Sequence, residues 1–488
     1  MMSLYITTSL LFGQGLWAKA YTGNFLSPLS SWSIIQSNDG NYVLTGHVEN
    51  VIAGDLDILV LKLAPDGSVI WDRVFDLDNY DQYAFSVFQS TVDNSYVISG
   101  YTGFGNGQSK ALVLKLESDG SLAWARIFGD TLVNQVYSST QATDGSYVFA
   151  GRMFTSPNTS DILVFKLNTD GSLVWARTFG IANRNDFAHT IIETRDDGYA
   201  IAGYTDDLLE DPLIIKIRAD GSLEWARIFS MLLSNGAQSI AQASDNSYIV
   251  AGRAQSPYGN HFDDALVLKL FPDGNLMWAS RIDNSDNSRN DARSLIQDRD
   301  GNFVIGGSGT ISLIKLSSDG SLIWCSRPWV AVNSLLQNQS GQYVITQDFQ
   351  VQIIPPDGNY PECTQFIPAI VESPSIDVYD PSIVTGIPNL PVVYPVLEVS
   401  SPSITPVDLC EPLKFEENEG IDQIKILCHP SPNGVLFISS LDTELKIYSV
   451  IGQAVYTGNL KKGENFVPLK KGVYVWMAGN SRGKVAIR

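Results

Sequence analysis

The stretch DILVFKLNTDGSLVWARTFG (161–180) contains two predicted strands joined by an Asp-Gly turn. An apolar run, ILVFKL, precedes the turn and LVWARTF follows it, and both are rich in β-branched and aromatic residues. Asp-Gly is typical of tight hairpin turns, because glycine adopts a positive φ without steric cost. The stretch therefore predicts a hairpin whose first strand is buried on both faces.

The same hairpin recurs along the chain with a regular spacing. Its tryptophan recurs at intervals of 54, 53, 51, 50, 53 and 46 residues, as Trp17, Trp71, Trp124, Trp175, Trp225, Trp278 and Trp324. A second turn precedes an aromatic residue in every repeat, as in DGSY at 144 and DDGY at 196. Four strands in roughly 50 residues, repeated seven times, predict the blades of a β-propeller.

The phase of the repeat predicts how the propeller closes. The repeats begin on a lone fourth strand, LWAKAY (16–21), and end on a first, second and third strand up to residue 358. These fragments complete one blade if the chain ends pair, which removes an open sheet edge. We predict an all-β fold, a seven-bladed propeller over residues 16–358 closed by its N-terminal strand, with each repeated tryptophan between blades. Two smaller sheets or a β-solenoid are the alternatives.

The repeat resembles a group of secreted bacterial and archaeal propeller repeats of the form DGGYIVAGYT…DVLVIKLDSDGNVQWQKTYG. The matching segments here are DDGYAIAGYT (196–205) and residues 161–180. The DGSLxW corner is also similar, more loosely, to the tryptophan corner of quinoprotein propellers. The resemblance covers residues 16–358 and implies a propeller, but that group has no common assigned activity.

Charge and hydropathy exclude several classes of partner. From Ile421 onward there are nine Lys/Arg against four Asp/Glu (+5), so the remainder carries 23 against 48 (−25). Such an acidic body disfavours nucleic acid and anionic membranes. No window has the ~18 to 20 apolar residues of a spanning helix. We expect a monomer, and we assign residues 1–15, which end in Gly13-Gln14-Gly15, to a signal-peptide remnant. A leading segment without that role is the alternative.

Residues 359–420 change composition. Prolines recur every seven residues at 374, 381, 388, 395 and 402, which excludes a coiled coil. We predict an extended, semi-rigid stalk of short β or polyproline segments. Cys363 and Cys410 bracket it, and a disulfide between them is expected if the protein is exported. Separate thiols are the alternative.

Residues 421–488 predict a small β-sandwich, with short strands separated by Gly, Asn and Lys turns. The region is similar to the C-terminal sorting domain of type IX secretion substrates. The matching residues are Pro430, Pro432, Gly434, Gly452, Gly472, Tyr474 and Lys484, although PSPNG departs from the usual PNPxxG order. The resemblance implies the type IX machinery as partner and a protein that is secreted or attached to the outer-membrane surface. A β-sandwich adhesin module is the alternative.

Sequence motifs for catalysis are absent. The chain has no HExxH and no Walker A sequence, so we predict no catalytic residues and no zinc site. The acidic loop 283–291 offers alternating oxygen ligands at Asp283, Asp286 and Asp291, a weak calcium candidate. It lacks the Gly and Glu of an EF-hand loop, and a hydrated acidic turn is the alternative.

The loops divide the propeller into two rims. Turns within each hairpin are short and alike, and we call their side the uniform rim. Loops between second and third strands and between blades differ in length and content, and we call their side the variable rim. Because variable loops on a rigid scaffold usually carry binding, we expect function there.

One position near the variable-rim end of the first strands is large and diverse. Counting back from the Gln or Glu that ends each first strand gives Trp32, Phe85, Tyr137, His189, Gln238, Arg293 and Asn333, the mouth ring. The next residue is always a small hydroxyl: Ser33, Ser86, Ser138, Thr190, Ser239, Ser294 and Ser334. We assign these hydroxyls to satisfying backbone groups. The mouth ring suits sugar or peptide binding, whereas filling its own blade gap is the alternative for each side chain.

These features lead to three functional hypotheses. The first is a secreted or surface-attached binding or adhesion module with an extracellular glycan or protein ligand. The second is a propeller hydrolase or lyase acting on polysaccharide, which for a glycosidase would need carboxylates ~5 to 10 Å apart in an axial pocket. The third is a structural surface protein without a small ligand.

Overall fold

The computed structural model describes residues 16–487 apart from short gaps. The gaps are 23–24, 51–53, 78–79, 104–106, 130–132, 207–208, 232, 256–262, 284–288, 329, 360–363, 367–369, 373–375, 380–381, 387–391, 394–397, 401–404, 409–425, 432–433, 440–442, 450–453, 462, 469–471 and 479–480. The described residues form 42 strands. Within them, no helix is long and apolar enough to cross a membrane. Two compact regions are distinguished, Met1–Cys410 and Glu411–Arg488.

Four-stranded antiparallel repeat units make up most of the first region. Units 1 to 3 are β2 (Phe25–Gln36), β3 (Tyr42–Asn50), β4 (Leu56–Leu63), β5 (Val69–Asp76); β6 (Gln82–Gln89), β7 (Tyr96–Gly103), β8 (Ser109–Leu116), β9 (Leu122–Phe128); and β10 (Asn134–Gln141), β11 (Tyr147–Ser156), β12 (Thr159–Leu167), β13 (Leu173–Ile181). Units 4 to 6 are β14 (Asn185–Glu193), β15 (Tyr199–Asp206), β16 (Glu210–Ile217), β17 (Leu223–Ser230); β18 (Asn235–Gln242), β19 (Tyr248–Gln255), β20 (Asp263–Leu270), β21 (Leu276–Asp283); and β22 (Asp291–Gln297), β23 (Phe303–Ser308), β24 (Leu313–Leu316), β25 (Leu322–Pro328).

The seventh unit combines the two ends of this region. It consists of β26 (Ser334–Gln337), β27 (Tyr343–Gln347), β28 (Gln350–Ile354) and β1 (Ala18–Thr22). β1 pairs antiparallel with β28, with Lys19 opposite Val351. The third strands are almost wholly buried in every unit, as the apolar runs predict, so the core lies between neighbouring sheets.

Consecutive units are joined by a repeated hydrogen bond. The Gln or Glu that ends each first strand accepts a backbone N–H from the first turn of the preceding unit, at 2.6 to 3.0 Å, in all seven units. The last of the series runs from the Gln339 N–H of unit 7 to Gln36 Oε1 of unit 1. The same contact therefore links unit 7 to unit 1 as links every other pair of neighbours.

The repeated tryptophans lie between units, as predicted. Each indole packs under the glycine of the next Asp-Gly turn, so that a β-carbon on that glycine would lie within 3.3 Å of the ring. The pairs are Trp17–Gly67, Trp71–Gly120, Trp124–Gly171, Trp175–Gly221, Trp225–Gly274, Trp278–Gly320 and Trp324–Gly358. These glycines have φ from 74° to 88°, which disfavours other residues for a second reason. Trp17 thus contacts unit 1 from unit 7.

The segment predicted to be a stalk forms instead an outer belt of short strands. These are β29 (Thr364–Phe366), β30 (Ile370–Glu372), β31 (Asp377–Tyr379), β32 (Ile383–Gly386), β33 (Val392–Val393), β34 (Glu398–Ser400) and β35 (Thr405–Asp408). Each pairs antiparallel with the fourth strand of one unit, in the order 6, 5, 4, 3, 2, 1 and 7. The stalk prediction is therefore wrong, and the belt belongs to the first compact region.

The proline period explains the belt. The fourth residue after each repeated tryptophan pairs with residue 364, 371, 378, 385, 392, 399 or 406, which are seven apart. One heptad therefore spans one unit. In the sequence, the prolines at 374, 381, 388, 395 and 402 each come three residues after a paired position and before the next belt strand. Proline has no N–H to donate to a ladder, so a sequence position between strands suits it.

The second compact region contains two antiparallel sheets. One has β36 (Ile426–Ser431), β37 (Gly434–Ser439) and β40 (Gly463–Pro468); the other has β38 (Thr443–Ser449), β39 (Ala454–Leu460), β41 (Gly472–Ala478) and β42 (Ser481–Ile487). Leu445, Ile447 and Val467 are buried there. Of the sorting-motif residues, Pro430, Gly434, Gly472, Tyr474 and Lys484 lie in these strands, whereas Pro432 and Gly452 lie outside the described residues.

Candidate functional site

The mouth ring is built on a repeated irregularity of the first strands. In units 1 to 6 the ladder between first and second strands shifts register at the ring residue, which is left between two paired neighbours. In unit 7 Asn333 directly precedes β26, and its N–H donates to the Thr346 carbonyl at 2.9 Å. A bulge re-aims the side chain of the extra residue. All seven ring side chains are half-buried.

A glycine on the second strand accompanies each of these six bulges. A β-carbon at Gly46, Gly100, Gly151, Gly203, Gly252 or Gly307 would collide with the backbone carbonyl oxygen two residues before the ring residue. Since that carbonyl is pushed inward by the bulge, only glycine fits opposite it. The glycine therefore leaves room for the bulge, and the bulge sets the direction of the mouth-ring side chain.

Units 1 to 4 contribute an aromatic arc to the variable rim. Ring centroids are 5.4 Å apart for Trp32–Phe85 and 5.1 Å for Phe85–Tyr137. Phe187 continues the arc, 4.5 Å from Tyr137 and 4.4 Å from His189. Each side chain thus contacts its neighbour across the gap between units, in addition to lying over its own sheet. Such edges and faces suit stacking against a planar or apolar ligand surface.

Units 5 to 7 contribute hydrogen-bonding groups instead. Arg293 donates from Nη1 to Asn333 Oδ1 at 2.7 Å and from Nε to Asp291 Oδ2 at 3.1 Å. Asn333 in turn donates to the Ser31 carbonyl of unit 1 at 3.0 Å. Gln238 lies in the same position of unit 5. The mouth therefore has an apolar side and a polar side.

Six of the seven hydroxyls make the kind of hydrogen bond predicted for them. Ser33, Ser86, Ser138, Ser294 and Ser334 each accept a backbone N–H from the first strand of the next unit, at 3.1 to 3.2 Å. Thr190 donates to the Gln238 carbonyl at 2.6 Å. These bonds satisfy buried backbone groups near the first strands, which supports the assignment of the hydroxyls to structure.

A second tier of residues lies beside the mouth ring and was missed from sequence. It follows the second-strand glycine in units 1 to 6 and includes His47, Tyr101, Arg152, Tyr204 and Arg253. Tyr101 lies 5.6 Å from Phe85, and Tyr204 stacks on Phe187 at 5.2 Å. The repeated pair Gly-Tyr or Gly-Arg was a visible signal. Between units 3 and 4, Arg152, Phe187 and Tyr204 line a pocket of about 310 Å³.

The surroundings of His189 and Asp291 favour the neutral imidazole and the ionised carboxylate, respectively. Burial, with Arg253 and Arg152 nearby, lowers the pKa of His189 to about 3, so this ring is neutral at physiological pH. Burial opposes ionisation of Asp291, yet Arg293, Ser308 and Arg289 together hold its pKa below the ordinary value. Asp291 is thus a paired carboxylate rather than a proton donor.

Two further predicted features fall partly outside the described residues. Asp286 of the calcium candidate lies in a gap, and Asp291 is engaged by Arg293 and Arg289. The calcium prediction at Asp283, Asp286 and Asp291 stays a prediction. Cys363 and Cys410 also lie outside the described residues, so their disulfide stays one as well.

Comparison with known proteins supports the repeat type. Residues 93–122 match the family described as a domain of unknown function (DUF5122) beta-propeller. No curated protein matches the chain.

Among solved structures, virginiamycin B lyase from Staphylococcus aureus is similar at 13% identity and TM-score 0.46, covering 69% of this chain and 98% of that one. A glucose dehydrogenase is similar at 10% and 0.36, covering 57% and 96%. PorZ, a surface component of the type IX secretion system of Porphyromonas gingivalis, is similar at 8% and 0.19, covering 96% and 99%. At these identities and TM-scores the likenesses carry no argument about activity. The strand repeats and the family match identify the chain as a β-propeller repeat protein.

Proposed function

We propose that this protein is a carbohydrate-binding module, secreted or held at the outer-membrane surface, whose ligand lies across the mouth ring. Its scaffold would be a seven-bladed propeller closed by β1. Three observations support the closure: the pairing of β1 with β28, the Gln339–Gln36 hydrogen bond and the contact of Trp17 with Gly67.

The observation that carries the binding proposal is that the mouth ring combines the aromatic arc of units 1 to 4 with the hydrogen-bonding side chains of units 5 to 7. Saccharides present apolar C–H faces and hydroxyl edges, so they need aromatic rings beside a few fixed donors and acceptors. Trp32, Phe85 and Tyr137 would supply the stacking surface. Arg293 and Asn333, already fixed by each other, would supply directed hydrogen bonds with little ordering cost.

The alternative of a polysaccharide hydrolase or lyase has less support. None of the seven mouth-ring residues is a carboxylate, and the adjacent Asp291 is paired with arginine. Export by the type IX machinery is part of the proposal, and it rests on the resemblance of residues 421–488 to the sorting domain. The two antiparallel sheets of that region are compatible with the predicted β-sandwich.

A glycan array probed with the full chain tests the binding proposal. Trp32→Ala and Arg293→Ala should each weaken binding at least tenfold, as expected for central contact residues. Phe271→Ala and Arg299→Ala are matched controls, because both residues lie in turns of the uniform rim and Phe271 is 47% exposed. Unchanged affinity in both mouth variants would reject the site. Binding of peptides but not glycans would reject the ligand class.

A further inference from the structure

A cluster of three carboxylates lies on the variable rim of unit 1, outside the mouth ring. Asp55 precedes β4, Asp57 lies in β4, and Asp76 ends β5. One carboxylate oxygen from each lies within 4.8 Å of the others. Asp55 is 8% and Asp57 2% exposed. Among the residues that the structure describes, no Lys or Arg forms an ion pair with Asp55 or Asp57.

The Asp55 side chain is the second observation that points to a ligand. Both of its oxygens are buried, and neither has a hydrogen-bond donor within the described part of the chain. Asp57 receives a single such bond, from Asn50 Nδ2 at 2.9 Å, and its Oδ1 has none. A buried carboxylate without donors is strongly unfavourable, and two neighbouring carboxylates add to the cost for Asp55. The cluster needs positive charge from outside the chain.

Unit 5 shows how the same positions are neutralised when the chain supplies the charge. Asp264 and Asp283 occupy the repeat positions of Asp57 and Asp76. There Arg281 Nε lies 3.4 Å from Asp264 Oδ2 as an internal counter-ion. The repeat position of Arg281 is Val74 in unit 1, and unit 1 adds a third carboxylate, Asp55. Unit 1 therefore has a valine where unit 5 has the arginine, and it has one more carboxylate.

We propose that Asp55, Asp57 and Asp76 bind one Ca²⁺ ion on the variable rim. Hard cations take carboxylate and carbonyl oxygens, and Ca²⁺ forms bonds of about 2.3 to 2.6 Å, so two ligands on opposite sides of it lie about 5 Å apart. Oxygens within 4.8 Å of one another are compatible with that span. Mg²⁺ demands near-ideal octahedral geometry and gives up its water reluctantly, so an all-protein carboxylate site favours Ca²⁺.

The ion would also bear on the outer belt. Asp76 pairs with Glu398 of β34, the belt strand that covers unit 1. Calcium at Asp76 would thus fix the end of the outer strand to which the belt is joined. Removing calcium should loosen β34 before the other belt strands.

The test is calorimetric titration of the full chain, stripped with EDTA, with CaCl₂ and separately with MgCl₂. Wild type should bind Ca²⁺ with a dissociation constant near 10⁻⁴ to 10⁻³ M, as extracellular sites do, and Mg²⁺ at least tenfold more weakly. Asp55→Asn should weaken calcium binding at least tenfold. Asp161→Asn, at the repeat position of Asp57 in unit 3, is the control and should leave calcium binding unchanged. Circular dichroism establishes that each variant is folded.

Val74→Arg restores the unit 5 arrangement and is the second variant. It should abolish calcium binding. Calcium should raise the Tm of wild type, because it binds only the folded state, and should leave the Tm of Val74→Arg unchanged. No calcium binding by wild type would overturn the proposal, leaving protons to neutralise the cluster. Equal loss in Asp55→Asn and Asp161→Asn would overturn it too, as would full binding in Asp55→Asn, which would locate the ion elsewhere.

Discussion

On the uniform rim all seven repeat units share two contacts, whereas on the variable rim each unit contributes a different side chain. The Gln-to-backbone bond and the Trp-Gly contact recur in all seven units. The mouth ring never repeats a residue type, yet six of its members sit on the same bulge. The comparison separates what the repeat conserves for folding from what it leaves free for recognition. A bulge can aim any side chain without changing the sheet around it.

The largest effect is expected where the uniform rim departs from its own pattern. Lys315 pairs with Asp298 at 2.8 Å, and the two side chains are 7% and 0% exposed. Tyr343 donates to the same carboxylate at 2.9 Å. Asp298→Ala leaves a buried ammonium unpaired, so we expect a loss of about 3 to 5 kcal/mol in the free energy of unfolding by urea.

The matched control is Asp144→Ala. Asp144 makes the corresponding contact with Lys166 at 2.7 Å but is 59% exposed. Lys166 is 8% exposed, but water can occupy the open site of the removed carboxylate and solvate the ammonium, so we expect a smaller loss than in Asp298→Ala. Equal losses in the two variants would show that burial of the pair is not what sets its contribution.

A second variant tests whether the bulge and its glycine act as one device. Gly203→Ala places a methyl group against the Phe187 carbonyl and should cost roughly 1 to 3 kcal/mol of unfolding free energy. It should also weaken ligand binding, because Phe187 and His189 are carried by that bulge. Gly103→Ala, at the end of β7 with no close neighbour, should stay within about 0.5 kcal/mol. Equal changes in stability and in ligand binding in the two variants would show that the glycine does not support the bulge.

The acid sensitivity of the mouth is a smaller effect. Unfolded histidine has a pKa near 6.5, whereas folded His189 has one of about 3, so the unfolded state binds more protons between these values. Its contribution to stability is lost as pH falls below about 6.5. His189→Gln removes this loss, and its stability relative to wild type should rise by about 2 kcal/mol from pH 7 to pH 5. Gln238→Ala, at the same ring position, should show no such change with pH.

The sequence predicted the repeat-based features because each rests on one aligned position read seven times. Trp175 and Thr190 could be placed in this way, and both lie where the period indicates. The tier containing Tyr101 and Arg152 was within reach of the same method, since it follows a repeated glycine. The Asp55 cluster was not, because it depends on how the start of β4 and the end of β5 pair in unit 1.

The belt could not be predicted for a different reason. Its seven strands pair with residues from 36 to about 390 positions away, so no local pattern indicates their partners. Prolines every seven residues exclude a helix but do not distinguish a free stalk from a chain laid along seven edges. Only the match between seven heptads and seven fourth strands reveals the latter.

The smallest expected effect concerns the ends of the belt. Thr364 pairs with Pro328 of unit 6 and Asp408 with Lys19 of unit 7, so the belt begins and ends on units that are consecutive in the chain. The predicted Cys363–Cys410 disulfide would fasten both ends at once.

Amides of Val371, Val378 and Val392 should exchange with deuterium at least tenfold more slowly than unstructured amides, and a free stalk would show no such protection. Reductant should speed exchange in β29 and β35 while leaving β31 to β33 unchanged. Uniform exchange with and without reductant, in a chain whose mass shows no disulfide, would remove the cysteines from this role and leave the ladders alone to hold the belt.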